Sequence, residues 1–137
     1  MITPADILNA SILVVDDSPV NLSLLERTLR GAGYTSITTT TDPGAAGALY
    51  RQQRHDLVVL DVMMPGMDGF EVMRELKAIE TEGDLPILVL TALPQHKLPS
   101  IAVGAKDFMS KPFVQRELLD RVSGMLEARL LQRDARR

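Results

Sequence analysis

Leu57-Val58-Val59-Leu60-Asp61 decides the fold: four apolar residues in a row, closed by an acid. A strand with one wet face alternates polar and apolar side chains, and this run leaves no polar face. Ile12-Leu13-Val14-Val15 and Ile87-Leu88-Val89-Leu90 have the same character. Strands apolar on both faces belong in a parallel sheet covered by helices on either side. Working outward, two further β-rich runs, Ser36–Thr40 and Asp107–Ser110, bring the set to five. Between the runs, Leu22, Leu25 and Leu29, then Val72, Met73, Leu76 and Ile79, recur at helical spacing. Ser18-Pro19 and Asp42-Pro43 each set a capping side chain before a proline at a first helical position. Gly31 and Gly33 stop the first of these helices, and Gly83 follows the third. The alternation predicts a (βα)5 domain of the α/β class, a doubly wound parallel sheet of five strands.

Two places strain this pattern. Pro94 and Pro99 leave room for about two helical turns between the fourth and fifth strands, so the fourth helix should be short and start near Pro99. The last helix should be long: from Phe113 to Asp134 it would span ~22 residues and ~33 Å. Leu119, Val122, Leu126 and Leu130 carry an apolar stripe along it, with Leu131 beside them. The expected organisation is therefore an N-terminal extension over 1–10, one domain over 11–125, and a C-terminal extension of the last helix over 126–137.

Composition narrows the function classes. The chain has 137 residues, a hydrophobic share of 45% and a formal net charge of −3, which suits one globular domain. Without cysteine, disulfide scaffolds, thiol catalysis and cysteine-ligated zinc are excluded. The apolar runs are far shorter than the ~20 residues that span a bilayer, and the N-terminus lacks the basic region of a secretory signal, so a cytoplasmic protein with no membrane partner is expected. A mildly acidic chain also binds nucleic acid poorly, and no DNA partner is expected.

In an open parallel sheet, functional groups gather at the carboxyl ends of the strands. Here the first strand ends in Asp16-Asp17, the third in Asp61, the fourth in Thr91, and the fifth leads to Lys111-Pro112. Each has an ordinary reading: a strand-ending acid pair, a turn-starting Asp61, a β-forming Thr91, a solvated Lys111. Their coincidence on strands one, three, four and five argues for a site. Three neighbouring carboxylates call for a cation, and oxygen-only ligands suit Mg²⁺. A lysine and a hydroxyl beside that ion make a pocket for a phosphoryl group. Asp61, at the end of a central strand, is the carboxylate placed to attack phosphorus and form an aspartyl phosphate.

The motifs VVDDS (Val14 to Ser18), LDVMMPGMDGFE (Leu60 to Glu71), LTA (Leu90 to Ala92) and GAKDFMSKPF (Gly104 to Phe113) resemble those of receiver domains of bacterial two-component response regulators. The likeness runs from about Ser11 to Met125 and implies a flavodoxin-like fold. It implies that Asp61 accepts a phosphoryl group, and that Asp16, Asp17, Asp61 and the Met63 backbone carbonyl hold Mg²⁺. Thr91 corresponds to the switch hydroxyl, Lys111 to the lysine that pairs with the phosphoryl group, and Phe108 to the aromatic that turns inward with the threonine, against an ordinary reading as core filling. Pro65, Gly66 and Gly69 correspond to the loop shaping the pocket, and the Lys111-Pro112 bond is expected to be cis. The implied partner is a sensor histidine kinase or phosphotransfer protein, and the implied role is phosphorelay signalling rather than enzymatic turnover.

Three departures from that pattern matter. Asp61 to Lys111 is 50 positions and Thr91 to Phe108 is 17, about two shorter than usual, so the fourth helix and its loop are atypical. Met63 and Leu93, two positions beyond Asp61 and Thr91, are both apolar and orient no water, which predicts a long-lived phosphoryl group. No output domain is recognised after the receiver; the last eleven residues carry about +2, too few for a helix-turn-helix. A hydrolase of the haloacid dehalogenase type wants an acid where Met63 stands. Two readings remain: a stand-alone receiver that forms a homodimer through its apolar C-terminal stripe, and a receiver of a larger regulator whose last helix, over Met125 to Arg133, is a linker.

Overall fold

The computed structural model describes residues 1–61, 69–80 and 85–135. Among them the chain forms five strands, β1 (Ser11–Val15), β2 (Ser36–Thr40), β3 (Leu57–Asp61), β4 (Ile87–Thr91) and β5 (Asp107–Ser110). Six helices accompany them: α1 (Pro4–Leu8), α2 (Pro19–Gly31), α3 (Ala46–Gln52), α4 (Gly69–Ile79), α5 (Lys97–Val103) and α6 (Gln115–Ala135). The strands form one parallel sheet in the order β2-β1-β3-β4-β5, the doubly wound topology predicted from the run patterns.

Alternation along each strand sorts the side chains into two cores. Ile12, Val14, Leu57, Val59, Leu88 and Leu90 face α2 and α6 and meet Leu22, Leu25, Leu29, Leu118, Val122 and Leu126. Leu13, Val15, Val58, Leu60, Ile87 and Val89 face the other way, onto Tyr50 of α3 and Val72, Met73 and Leu76 of α4. β1, β3 and β4 are therefore buried along their whole length, which is why they carry no polar face. The capping expectations hold: Ser18 Oγ accepts from Asn21 N, and Asp42 Oδ1 accepts from Gly44 N at the start of a 3₁₀ turn over Pro43–Ala45. Gly33 (φ 106°) and Gly104 (φ 124°) turn the chain after α2 and α5 with left-handed backbone.

Three features differ from the sequence reading. α5 starts at Lys97, two residues before Pro99, because a 3₁₀ turn over Pro94–His96 leads straight into it. Pro99 then falls in the first turn, where its missing N–H breaks no helical bond. α1 was not expected. Thr3 accepts from Asp6 N at 3.1 Å and Asp6 accepts from Thr3 N at 2.9 Å, with Pro4 in the first turn, so a reciprocal cap starts this short helix. Finally, the stripe on α6 is turned inward: Leu118, Val122, Met125, Leu126 and Arg129 are buried, while Leu119 and Leu130 flank them half-buried and Leu131 is 52% exposed. Leu126 lies in the same core as Val122, so that core runs across residue 125.

The far half of α6 is fastened at the amino edge of the sheet. Arg129 pairs with Glu80 at 3.6 Å, and Glu80 also accepts from the Tyr50 hydroxyl. Arg133 pairs with Asp56, whose other oxygen accepts from Ser11 N at 2.9 Å. α1 packs against α6 at the same edge.

Candidate functional site

The opposite, carboxyl edge collects the residues singled out from the sequence. Parallel register sets Asp61 beside Leu90, the residue before Thr91, and Thr91 beside Ser110, the residue before Lys111. Lys111 N donates to Thr91 O at 2.9 Å, tying the start of the β5–α6 loop to the end of β4. The Lys111-Pro112 peptide is cis, as the resemblance implied.

Asp16, Asp17 and Asp61 converge so that one carboxylate oxygen from each lies within 4.8 Å of the others. Asp16 and Asp61 are buried and Asp17 is half-buried. The Lys111 ammonium bridges the two buried acids, 3.0 Å from Asp16 Oδ2 and 3.1 Å from Asp61 Oδ2. Burial alone would lower the pKa of Lys111; the hydrogen bonds and charges of Asp16 and Asp61 overcome it and raise it, so the ammonium stays charged. Asp16 is fixed a second time, because its Oδ1 accepts from Ser18 N at 2.9 Å. Ser18 thus caps α2 with its hydroxyl and orients the site with its amide, a second role that the sequence reading missed.

Three carboxylates against one ammonium leave an excess of negative charge at one point. Asp17 has no hydrogen-bond or ion-pair partner among the described residues. An oxygen-only donor set with a spare carboxylate suits a hard divalent ion. Met63, whose carbonyl was expected as a further ligand, lies outside the described residues, as do Pro65 and Gly66.

Thr91 is fully buried, and its hydroxyl is engaged away from the acids: Oγ1 accepts from Leu93 N at 3.2 Å and lies 3.2 Å from His96 Nδ1. His96 was not picked out from the sequence, and no local motif marks it. Phe108 pairs in register with Val89 and is half-buried against the core beneath α3 and α4.

The family profile described as response regulator receiver domain matches residues 12–123. The chain belongs to that family. Among curated relatives, the receiver is 39% identical over 126 residues to response regulator PleD of Caulobacter vibrioides, covering 90% of this chain and 28% of that one. It is 44% identical over 117 residues to response regulator MprA of Mycolicibacterium vanbaalenii, covering 84% of this chain and 49% of that one. The receiver thus spans half or less of these regulators. Among solved structures, chemotaxis protein CheY4 of Vibrio cholerae matches with a TM-score of 0.78 and 34% identity, covering 85% of this chain and 98% of that one. The receiver domain of sensor histidine kinase PA1611 from Pseudomonas aeruginosa, with a magnesium ion coordinated in its active site cleft, matches with a TM-score of 0.78 and 32% identity over 87% of this chain and 98% of that one. Receivers are signalling domains phosphorylated on aspartate by sensor histidine kinases, and the acidic cluster here fits the Mg²⁺ that such domains bind. No described helix is long and apolar enough to cross a membrane.

Proposed function

We propose that Asp61 is the phospho-acceptor of this receiver, and that a sensor histidine kinase or phosphotransfer protein supplies the phosphoryl group from a phosphohistidine. The observation that carries this is the convergence of Asp16, Asp17 and Asp61 around the Lys111 ammonium at the end of a central strand. The attacking Asp61 oxygen forms the new O–P bond as the N–P bond breaks, and the departing imidazole keeps the electron pair and takes up a proton. Lys111 neutralises charge on the transferring oxygens, and Asp16, held by Ser18 N, keeps Lys111 in place. Asp16, Asp17, Asp61 and the Met63 carbonyl are the residues that would hold Mg²⁺, which, when bound, supplies further charge neutralisation. An apolar groove beside Lys111, lined by Leu24, Leu25, Ala92, Pro112 and Phe113, suits docking of the phosphohistidine-bearing partner.

The output is a change of protein contacts, with Thr91 and Phe108 as the switch pair. Self-association through α6 would have to use its outer turns, where Leu131 is exposed, because Leu118, Val122 and Leu126 are packed on the sheet. A second reading, a receiver within a longer regulator, is favoured by relatives of which it spans 28% to 49%. A cytoplasmic location fits both readings.

The test is a small phosphoryl donor with Mg²⁺, followed by intact-mass analysis and light scattering. Wild type should gain one phosphoryl group and Asp61→Asn none. A phosphorylated Asp61→Asn would remove the assignment, and a size change confined to phosphorylated wild type would favour the self-associating output.

A further inference from the structure

We propose that His96 is a positioning residue that holds the Thr91 hydroxyl away from Asp61 and so sets how readily a phosphoryl group recruits that hydroxyl. This rests on the reading of Asp61 as the acceptor. Thr91 ends β4, next to the strand that ends in Asp61, and its hydroxyl is a hydrogen-bond donor buried at that edge. A hydroxyl has one proton to donate. Leu93 N already donates to Oγ1, and in the His96 tautomer whose Nδ1 carries no proton the Thr91 hydroxyl spends its own proton on Nδ1. Among the described residues Thr91 makes no side-chain hydrogen bond to Asp61 or Lys111. In that tautomer a phosphoryl oxygen on Asp61 competes with His96 for the same proton.

The imidazole is held so that it can compete. Its backbone closes the 3₁₀ turn through His96 N donating to Leu93 O at 3.1 Å, and its carbonyl accepts from Ser100 Oγ at 2.6 Å. The ring meets Phe70 edge-on, with centroids 5.8 Å apart and planes at 85°. The short connection between β4 and α5 places the end of this turn against Thr91; only residues 92–96 separate the two elements.

Beryllofluoride with Mg²⁺, a phosphoryl mimic, tests this on the full chain. Loss of one neutral hydrogen bond that opposes binding should tighten beryllofluoride about three- to tenfold in His96→Ala. His96→Asn, whose amide oxygen stands near the position of Nδ1, should return the affinity toward wild type. In a Thr91→Ala background, His96→Ala should change nothing. In the wild-type chain the nitrogen NMR signal of His96 Nδ1 should move when beryllofluoride binds, a readout that needs no variant to fold. An unmoved signal, an unchanged or weaker affinity in His96→Ala, or an effect that persists without the Thr91 hydroxyl overturns the role of His96 alone. Beryllofluoride binding that survives in Asp61→Asn overturns the acceptor reading, and this inference with it.

Discussion

Lys111 holds together two carboxylates that would otherwise repel each other behind little solvent: its side chain is 18% exposed, that of Asp16 1% and that of Asp61 7%. Removing one partner of such a group leaves the others uncompensated, a larger penalty than a surface ion pair carries. Lys111→Met should therefore lower the unfolding free energy read from urea denaturation by about 3–5 kcal/mol without divalent ion. Added Mg²⁺ should recover more stability in the variant than in wild type, because it meets a greater excess of negative charge. Equal responses would mean that Lys111 is not what balances the acids. At this scale the sequence was informative, since Asp16, Asp17, Asp61, Thr91 and Lys111 all stand at strand ends and strand ends can be read from apolar runs. His96 was not readable in this way. Its relevance depends on a 3₁₀ turn that carries its ring back to Thr91, and no periodicity announces such a turn.

Three helices meet through polar groups at the amino edge. Tyr50 of α3 donates to Glu80, just past α4, and Glu80 pairs with Arg129 of α6. Burial, followed by the hydrogen bond to Glu80 and its charge, pushes the Tyr50 hydroxyl up to about 12. Tyr34 is also raised, chiefly by burial. An acid whose pKa is higher when folded stabilises the fold below its unfolded value and loses that contribution as pH climbs through the folded one. Stability should thus fall between about pH 10 and 12, by on the order of 2 kcal/mol from Tyr50. Lys111, also raised, contributes below its ordinary value of 10.5 and loses that contribution as pH rises through its folded pKa. Urea midpoints across this range should show a shallower decline in Tyr50→Phe than in wild type; identical slopes would show that Tyr50 is not the titrating group. Apart from α1, the helices themselves were legible from spacing and caps. The facing of α6 was not: a stripe in sequence says that one side is apolar, but not whether the chain's own sheet or a second copy covers it. Here Leu118 and Met125 join Val122 and Leu126, and the sheet covers them.

For the whole molecule, this packing changes what the C-terminal segment is. A domain that ended at residue 125 would stay folded when the chain is cut there. Here the cut would remove Leu126, which has no exposed surface, and Arg129 and Arg133, which pair with Glu80 and Asp56. Loss of a buried leucine side chain alone costs about 2–5 kcal/mol, so a chain ending at Met125 should unfold at lower urea by at least about 2 kcal/mol. An unchanged midpoint would show that the far half of α6 adds nothing to the fold. The beginning of the chain lies near the same place: Ile2, Asp6 and Asn9 line a recess together with Asp56, Leu130 and Arg133. Both described ends therefore leave the molecule from the edge of the sheet opposite Asp61. A fluorophore, affinity tag or neighbouring domain joined at either end would stand clear of the acidic pocket. The nearness of the ends also makes the receiver a suitable parent for circular permutation: a short flexible bridge would close the chain, and new ends could be opened in an exposed turn of choice without crossing the phosphoryl-accepting edge.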